Sequence, residues 1–440
     1  MMFSPEAECR PLDVQRRLDD PAYREQVRYL FERSPFYARK LRQAGFTDAA
    51  QVGGLENLHN LPFTEKDEIR LTQAGHPPFG EHLACDPADL IRIYSTSGTS
   101  GTPCYIGLTR ADLDMFATVA ARGYTAAGFR PGQRLAVVAN AGPFVAGSTY
   151  YGLDKIGCTV IPVGTGNTER LVGAIQRLGA TAISGTPSYG LYLIDWCAER
   201  GIDTRTLGLT HIITAGEPGG GDPVLRARLE DAFHCTVREV MGTADVTVTA
   251  WAEDEDGLGM HFMARDYVHV ELIDPRSGEV LPWEDGVQGE LVYTALRRQA
   301  MPVLRFRSRD HVVVTMRDNP TGRTGPRIRC IGRTDDMLIV RGVNLFPTAI
   351  RGVLQEFHGE VGDVYRIRPR EPGVAQNPPL PIVVEASMGP AAPAPELAAR
   401  IETAIRSRLV VATRVEIVPY GSLPRSEYKS GLVDYSQARR

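Results

Sequence analysis

The sequence predicts an α/β protein. A large N-terminal domain is expected on doubly wound, mostly parallel sheets with a β-rich subdomain, followed by a small α+β C-terminal domain. Three observations predict this. Between residues 110 and 245, short apolar strands alternate with amphipathic helices, the pattern of a parallel sheet covered on both faces. From about residue 262 to 316 the pattern turns β-rich. After Ile331-Gly332-Arg333 a last stretch of about a hundred residues mixes strands with two helices. At 440 residues the chain exceeds one ordinary core, so two or three domains are expected. The main boundary is placed between residues 332 and 333, giving domains 1–332 and 333–440.

Residues 12–45 read as helical and charged, with Ser34-Pro35 interrupting them. The alternation then runs in order. Asp112–Ala126 is a helix and Arg134–Ala139 a strand. Ser148–Ile156 is a helix and Cys158–Val163 a strand. Thr168–Leu178 is a helix and Ala180–Ser184 a strand. Pro187–Arg200 is a helix and His211–Ala215 a strand. Asp222–Phe233 is a helix and Thr236–Val240 a strand. The β-rich part holds Tyr267–Ile273, Gly289–Tyr293, Val303–Phe306 and His311–Thr315, with Asp274–Gly278 as a turn. The last stretch holds strands at Met337–Val340, Asp363–Ile367, Pro381–Glu385 and Arg414–Val418. Its helices are Thr348–Phe357 and Pro395–Leu409, and Gly389–Pro395 is a surface loop.

Composition narrows the function classes. Apolar content of 43% and charged content of 23% suit a soluble globular protein. The net charge of −4 offers no basic field for nucleic acid. No apolar run reaches the ~18 residues a membrane crossing needs. The first residues lack the basic and apolar regions of a signal peptide. Seven cysteines lie scattered without a C-x-x-C pair, so reduced thiols in a cytoplasm are expected rather than a disulfide frame or a zinc knuckle.

Chemistry is expected where strands end, because open α/β sheets bind ligands beyond their carboxyl ends. The run Tyr94-Ser95-Thr96-Ser97-Gly98-Thr99-Ser100-Gly101-Thr102-Pro103 joins hydroxyls to glycines. Such a run either cradles phosphates with its N–H groups or merely links two elements. It lacks the Gly-Lys-Ser/Thr ending of the P-loop. Gly216-Glu217-Pro218 and Met241-Gly242-Thr243-Ala244-Asp245 follow two predicted strands. Glu217 and Asp245 read either as ligand-facing carboxylates or as solvated or helix-capping ones. In Arg305-Phe306-Arg307-Ser308-Arg309-Asp310, three arginines beside an aspartate suit phosphate and ribose, or else guard a strand edge by charge. Gly332-Arg333-Thr334-Asp335-Asp336 reads as an interdomain joint. Lys429 sits in a Ser/Gly setting near the end of the sequence, where a lysine by itself is ordinarily just solvated.

Read in order, these stretches resemble the motif set of the adenylate-forming superfamily of acyl and aryl CoA ligases, and most of all its phenylacetate–CoA ligase branch. The resemblance extends to Ser34-Pro35-Phe36-Tyr37, Leu61-Pro62-Phe63-Thr64-Glu65-Lys66, Gly157–Val163, Thr186-Pro187-Ser188-Tyr189, Ala300-Met301-Pro302-Val303 and Arg341–Pro347. It implies ATP- and Mg²⁺-dependent activation of an aryl or small carboxylic acid to an acyl-adenylate, then transfer to the thiol of coenzyme A.

The resemblance also implies roles. Ser97, Gly98, Thr99, Ser100 and Gly101 would hold the β/γ-phosphates. Gly216, Glu217 and Pro218 would line the adenine side, and Met241, Gly242 and Thr243 would complete the nucleotide site. Asp245 matches the acidic residue that helps hold Mg²⁺. Asp310 matches the acceptor of both ribose hydroxyls, and Arg333 would contact ribose or phosphate. Asp335 would be the hinge of a mobile C-terminal domain. Lys429 matches the lysine that stabilises α-phosphate and carboxylate during adenylation. Asn140, Phe144 and Ala215 would shape the acyl pocket. A homodimer is a family-level expectation.

Four departures qualify the resemblance. Met241 and Asp245 stand where the family commonly has an aromatic residue and a glutamate. Thr102 stands where many relatives have lysine. The segment Asn140–Gly147 lacks the Tyr/Gly-rich form of phenylacetate enzymes, which argues against phenylacetate itself as the acid. Trp251-Ala252-Glu253-Asp254 supplies no cysteine, so no structural zinc is expected. These departures keep an alternative open: an acyl-adenylating enzyme that transfers to an amine or a free-standing carrier protein. A non-catalytic binder on the same scaffold would have no need of Lys429, Asp310 and Arg333.

Overall fold

The expected helices begin where local chemistry starts them. The computed structural model describes residues 1–96, 104–138, 144–316, 319–388, 395–424 and 431–438. Thr109 and Asp112 exchange side-chain and backbone hydrogen bonds in a capping box that opens the helix Arg110–Ala126. Asn167 caps Thr168–Leu178. Thr186 caps Pro187–Glu199 and Asp222 caps Pro223–Phe233, each with proline at the first helical position. Ser34-Pro35 divides Leu12–Arg33 from Pro35–Gln43.

The strands run in chain order. The first two, β1 (Arg92–Ser95) and β2 (Tyr105–Leu108), form an antiparallel hairpin. Then come β3 (Arg134–Val137), β4 (Thr159–Pro162), β5 (Ala182–Gly185), β6 (His211–Thr214), β7 (Thr236–Thr243), β8 (Thr247–Glu253), β9 (Met260–Phe262), β10 (Val268–Ile273), β11 (Gln288–Ala295), β12 (Phe306–Thr315) and β13 (Arg327–Arg333). These last eleven make one mixed sheet in the order β10-β11-β12-β13-β9-β8-β7-β6-β5-β3-β4. The expected α/β architecture is present, but the β-rich stretch extends this sheet rather than forming a separate one. β3 pairs parallel with β4 and β5, whereas β7–β8, β8–β9 and β10–β11–β12 pair antiparallel.

Two sequence expectations need correction. β7 does not stop at Val240 but runs to Thr243, so Met241, Gly242 and Thr243 are strand residues. Val303–Phe306 and His311–Thr315 are not two strands: Phe306–Thr315 is continuous, and Asp310 lies inside it. In both cases antiparallel pairing carries the backbone through polar residues that a hydrophobic pattern does not mark as strand. Ile331-Gly332-Arg333 forms the end of β13.

The chain divides into two compact units: Met1–Ser184 with Thr210–Ile213 and Arg238–Arg329, and Gly185–Leu209 with Thr214–Val237 and Cys330–Arg440. The first unit includes the N-terminal helices, whose core joins Tyr23, Leu30, Tyr37 and Leu58 to Leu296 and Leu304. In the second, the strands after residue 337 form two three-stranded sheets around Ile350, Tyr365, Ile382, Ile401 and Ile405. That is the small α+β arrangement expected. Among the described residues no helix is long and apolar enough to cross a membrane.

One buried carboxyl makes the first unit pH-sensitive. Burial, helped by the negative charge of Asp266, pushes Asp19 up to about 6 against the hydrogen bond from Gln15 (2.7 Å). Its folded-state value lies above its unfolded one, so this residue's contribution rises as pH falls through about 6 and is lost as pH rises. Asp19→Asn is therefore expected to raise Tm at pH 8 and to match the parent near pH 5. Melting curves of both proteins across that range check this; a gap independent of pH would refute it.

Candidate active site

One helix start gathers residues from three distant parts of the chain. Thr64 lies beside β12: its N–H donates to Arg305 O (2.9 Å) and its carbonyl accepts from Arg307 N (3.0 Å). Glu65 then opens the helix Lys66–Gly75 in a capping box with Glu68. Glu65 accepts from Arg309 Nη2 at 2.6 Å. Lys66 donates to both Asp245 oxygens, at 2.6 and 2.7 Å. A lysine at the first helical position opposes the helix dipole, which favours anions there. Its pairing with a buried carboxylate supplies the compensation.

Asp245 lies in the turn between β7 and β8 and is only 7% exposed. Gly242 makes this hairpin possible. A Cβ at Gly242 would lie 2.2 Å from Thr247 O, so no other residue fits without moving β8. The register also shifts between Met241 and Thr243, a bulge that redirects the strand end. Asp245 is a hard carboxylate of the type Mg²⁺ takes, with both its oxygens bonded to Lys66 in this structure. Mg²⁺ is ordinarily held by one or two carboxylates plus substrate phosphates.

The Arg305–Asp310 segment is a second bulge. Glu290 faces His311 while Val292 faces Arg307, so β12 carries two more residues than β11 between these pairs. Within it Arg309 has φ +66°, a left-handed conformation rare for arginine. Such strain at a bulge is a feature of functional sites. The three arginines take different partners. Arg305 is buried, bonded to Glu271 at 3.0 and 3.2 Å and to the carbonyls of His59 and Leu61. Arg307 makes a two-pronged pair with buried Glu290 at 2.8 and 2.9 Å. Both are committed to the fold. Asp310 follows in β12, its N–H bonded to Ser308 Oγ at 3.1 Å.

The hydroxyl-rich run Ser97–Gly101 lies outside the described residues, as do Asn140 and Lys429. The ends of that run are pinned together: Thr96 N donates to Cys104 O (2.9 Å), and Cys104 N donates to Thr96 Oγ1 (3.2 Å). In sequence the run joins β1 to β2. Phe144 bridges to Ser95, which brings this expected acyl-pocket residue beside the end of β1.

The second unit carries the other expected residues. Ala215 donates its N–H to Gly185 O at 2.9 Å. Gly216 has φ +86°, which permits the sharp turn into Glu217 and Pro218. Glu217 accepts from Ser188 N at 2.8 Å, capping the helix Pro187–Glu199. Arg333 and Asp335 pair with each other at 2.7 and 2.9 Å.

Comparison with known proteins bears on this geometry. The AMP-binding enzyme family profile matches residues 29–296, and the AMP-binding enzyme C-terminal domain matches 342–434. The chain belongs to the adenylate-forming, AMP-binding enzyme family. It is 35% identical to the phenylacetate-coenzyme A ligase of Thermus thermophilus, over 97% of each chain. It is 31% identical to that of Pseudomonas putida, over 96% of this chain and 94% of the relative. A crystal structure of 2-hydroxyisobutyryl-CoA ligase in the postadenylation state is similar with TM-score 0.90 and 29% identity, over 98% of this chain and 92% of the other. The resemblance read from the motifs is borne out, and with it the α/β fold and the class of an AMP-forming acid–CoA ligase.

Two residues of this adenylate-forming enzyme were not singled out by the motif reading. Lys66 belongs to a quoted motif, and its opposition to the helix dipole was the available signal. Arg298 had no signal: it reads as one of two adjacent arginines in a polar loop. It is buried, and its Nη1 donates to the carbonyls of Asp245 (2.5 Å) and Val246 (3.2 Å).

Proposed function

We propose that this acid–CoA ligase activates an aryl or small carboxylic acid other than phenylacetate, using a nucleotide site built from the residues above. The convergence of Lys66, Asp245 and Arg309 about one helix start, with Asp310 next in the chain to Arg309, carries this reading. The substrate carboxylate attacks the α-phosphorus of ATP, the bond to the β-phosphate oxygen breaks, and pyrophosphate leaves. Both reactants are anions, so the protein must offset charge and hold them in line. Mg²⁺, when bound, would supply charge neutralisation on the phosphates, with Asp245 as its carboxylate ligand. Ser97, Gly98, Thr99, Ser100 and Gly101 cradle the β- and γ-phosphates. Asp310 accepts from the ribose hydroxyls. Gly216, Glu217 and Pro218 line the adenine side, and Met241, Gly242 and Thr243 complete the nucleotide site. Asn140, Phe144 and Ala215 shape the acyl pocket.

The second step passes the acyl carbon to the thiol of coenzyme A and releases AMP. We place the domain boundary at 332/333 and the hinge at Asp335. Movement there would part the Arg333–Asp335 pair and free Arg333 for ribose or phosphate. A cytoplasmic setting is supported by seven free thiols. A homodimer is the proposed assembly.

The test measures pyrophosphate release across aryl, heteroaryl and short-chain acids, with coenzyme A, amines or buffer as acceptor. The expected result is release with one acid class and a CoA thioester as product. Release without a thioester would favour transfer to an amine or a carrier protein. No release with any acid would refute adenylation, and preference for phenylacetate would refute the pocket reading.

A further inference from the structure

The guanidinium of Arg298 is among the most deeply buried charges in the protein, at 2% exposure. Its backbone is fixed from two directions. Gln26 accepts from Arg298 N (2.8 Å) and donates to Arg298 O (3.0 Å). The next two N–H groups donate to the buried Asp112 carboxylate, at 2.8 and 2.9 Å. The side chain crosses the face of Phe116, 5.1 Å from its centroid. It borders a small cavity shared with Met115, Asp245, Tyr267 and Val303.

Among the described residues Arg298 forms no ion pair, and its Nε and Nη2 have no hydrogen-bond partner. The nearby Asp112 and Asp245 carboxylates favour its charge, but burial outweighs them, so the fold gains little from holding a guanidinium here. An apolar side chain of similar length would suit this cavity better. What the guanidinium does contribute is Nη1, which grips two successive carbonyls in the β7–β8 turn. Asp245 is thus held at its carboxylate by Lys66 and at its carbonyl by Arg298.

We infer that Arg298 is a positioning residue for adenylation: its grip on the Asp245 and Val246 carbonyls fixes the turn that presents the Asp245 carboxylate to the nucleotide. The inference rests on the role of Asp245 proposed above. Small displacements of a charged group at a reacting centre are enough to slow a step by about 100-fold.

Three variants test it: Arg298→Met, Arg298→Lys and Asp245→Asn. For each, Tm, calorimetric affinity for MgATP, ATP–pyrophosphate exchange and thioester formation from supplied acyl-adenylate are measured. Arg298→Met is expected to melt no lower than the parent, because it removes a charge whose burial outweighs the attraction of Asp112 and Asp245. It should bind MgATP more weakly and lose about 100-fold in exchange, while thioester formation stays within about twofold. Arg298→Lys should fall between the two, having charge without the two-carbonyl grip. Parental exchange in Arg298→Met overturns the inference. So does a parallel fall of Tm, exchange and thioester formation, which marks a purely structural role. If Arg298→Met does not fold, Arg298→Lys decides: exchange at least about fivefold below parent, with thioester formation retained, supports the inference, and parental exchange overturns it. Asp245→Asn separates the two readings. Parental exchange there removes the role of Asp245 and this inference with it. Impaired exchange there, beside an unaffected Arg298→Met, removes this inference alone.

Discussion

Lys429→Ala is expected to abolish adenylation yet largely spare thioester formation from a supplied acyl-adenylate. The carboxylate and the α-phosphate repel each other, and charge builds further in the transition state. The described cations around the Lys66 helix start and β12 are already paired. Lys66 is bound to Asp245, Arg305 to Glu271, Arg307 to Glu290 and Arg309 to Glu65. Lys429, which lies outside the described residues, is the cation we assign to this task. Losing one such donor slows the step by about 100- to 1,000-fold. The second step, a thiol attacking a mixed anhydride, brings no second anionic phosphate to the carbon and needs no such cation. Separate assays of pyrophosphate exchange and of thioester formation check the prediction. Equal losses in both would refute the role.

Arg323→Met is expected to destabilise the folded protein by about 3–5 kcal/mol and to lower Tm steeply, without a specific effect on either half-reaction. Arg323 is buried between two carboxylates that are also buried. Its Nε donates to Glu8 at 2.9 Å and its Nη1 to Asp254 at 3.2 Å. Glu8 also accepts from the N–H groups of Phe3 and Ser4, so this pair ties the N-terminal segment to the sheet. Burial by itself would raise the Asp254 carboxyl. The hydrogen bond and charge of His261 outweigh burial and hold it well below the usual range. A lowered folded-state value means stability that is present above the unfolded pKa of about 3.9 and lost as pH falls through the folded value. The Arg323 variants are therefore compared at neutral pH, away from that acid range. Removing Arg323 leaves Glu8 without its cation there, and adding Glu8→Gln should recover part of the loss. Denaturant unfolding of the two single variants and the double variant checks this. A loss below about 1 kcal/mol, the size of a surface pair, would show that the network is not sealed from water.

Local signals made much of the fold legible. Thr109, Asn167, Thr186 and Asp222 each cap a helix at the expected place, since a cap and the first turn it serves lie within four residues. The parallel strands are short apolar runs between those helices and were located closely. The antiparallel half was harder to read. β12 alternates buried and half-buried positions through Arg307, Ser308 and Arg309, and its polar residues hide a continuous strand. The extension of β7 through Met241 and Gly242 depends on β8 approaching so closely that only glycine fits.

By itself the sequence determined the family, the α/β architecture and the ordered motifs. Each is carried by residues near one another in the chain, where spacing and composition suffice. Only the tertiary structure decided which charges are free and which are committed. Lys66 meets Asp245 across 179 positions, Arg309 meets Glu65 across 244, and Arg298 reaches the Asp245 turn across 53. Nothing in the local pattern marks such partners, because a buried charge chooses its partner by where the sheet brings the backbone. The same placement made struts of two arginines that suited either phosphate or a guarded strand edge, and brought an unremarked loop arginine to the backbone of the site's carboxylate.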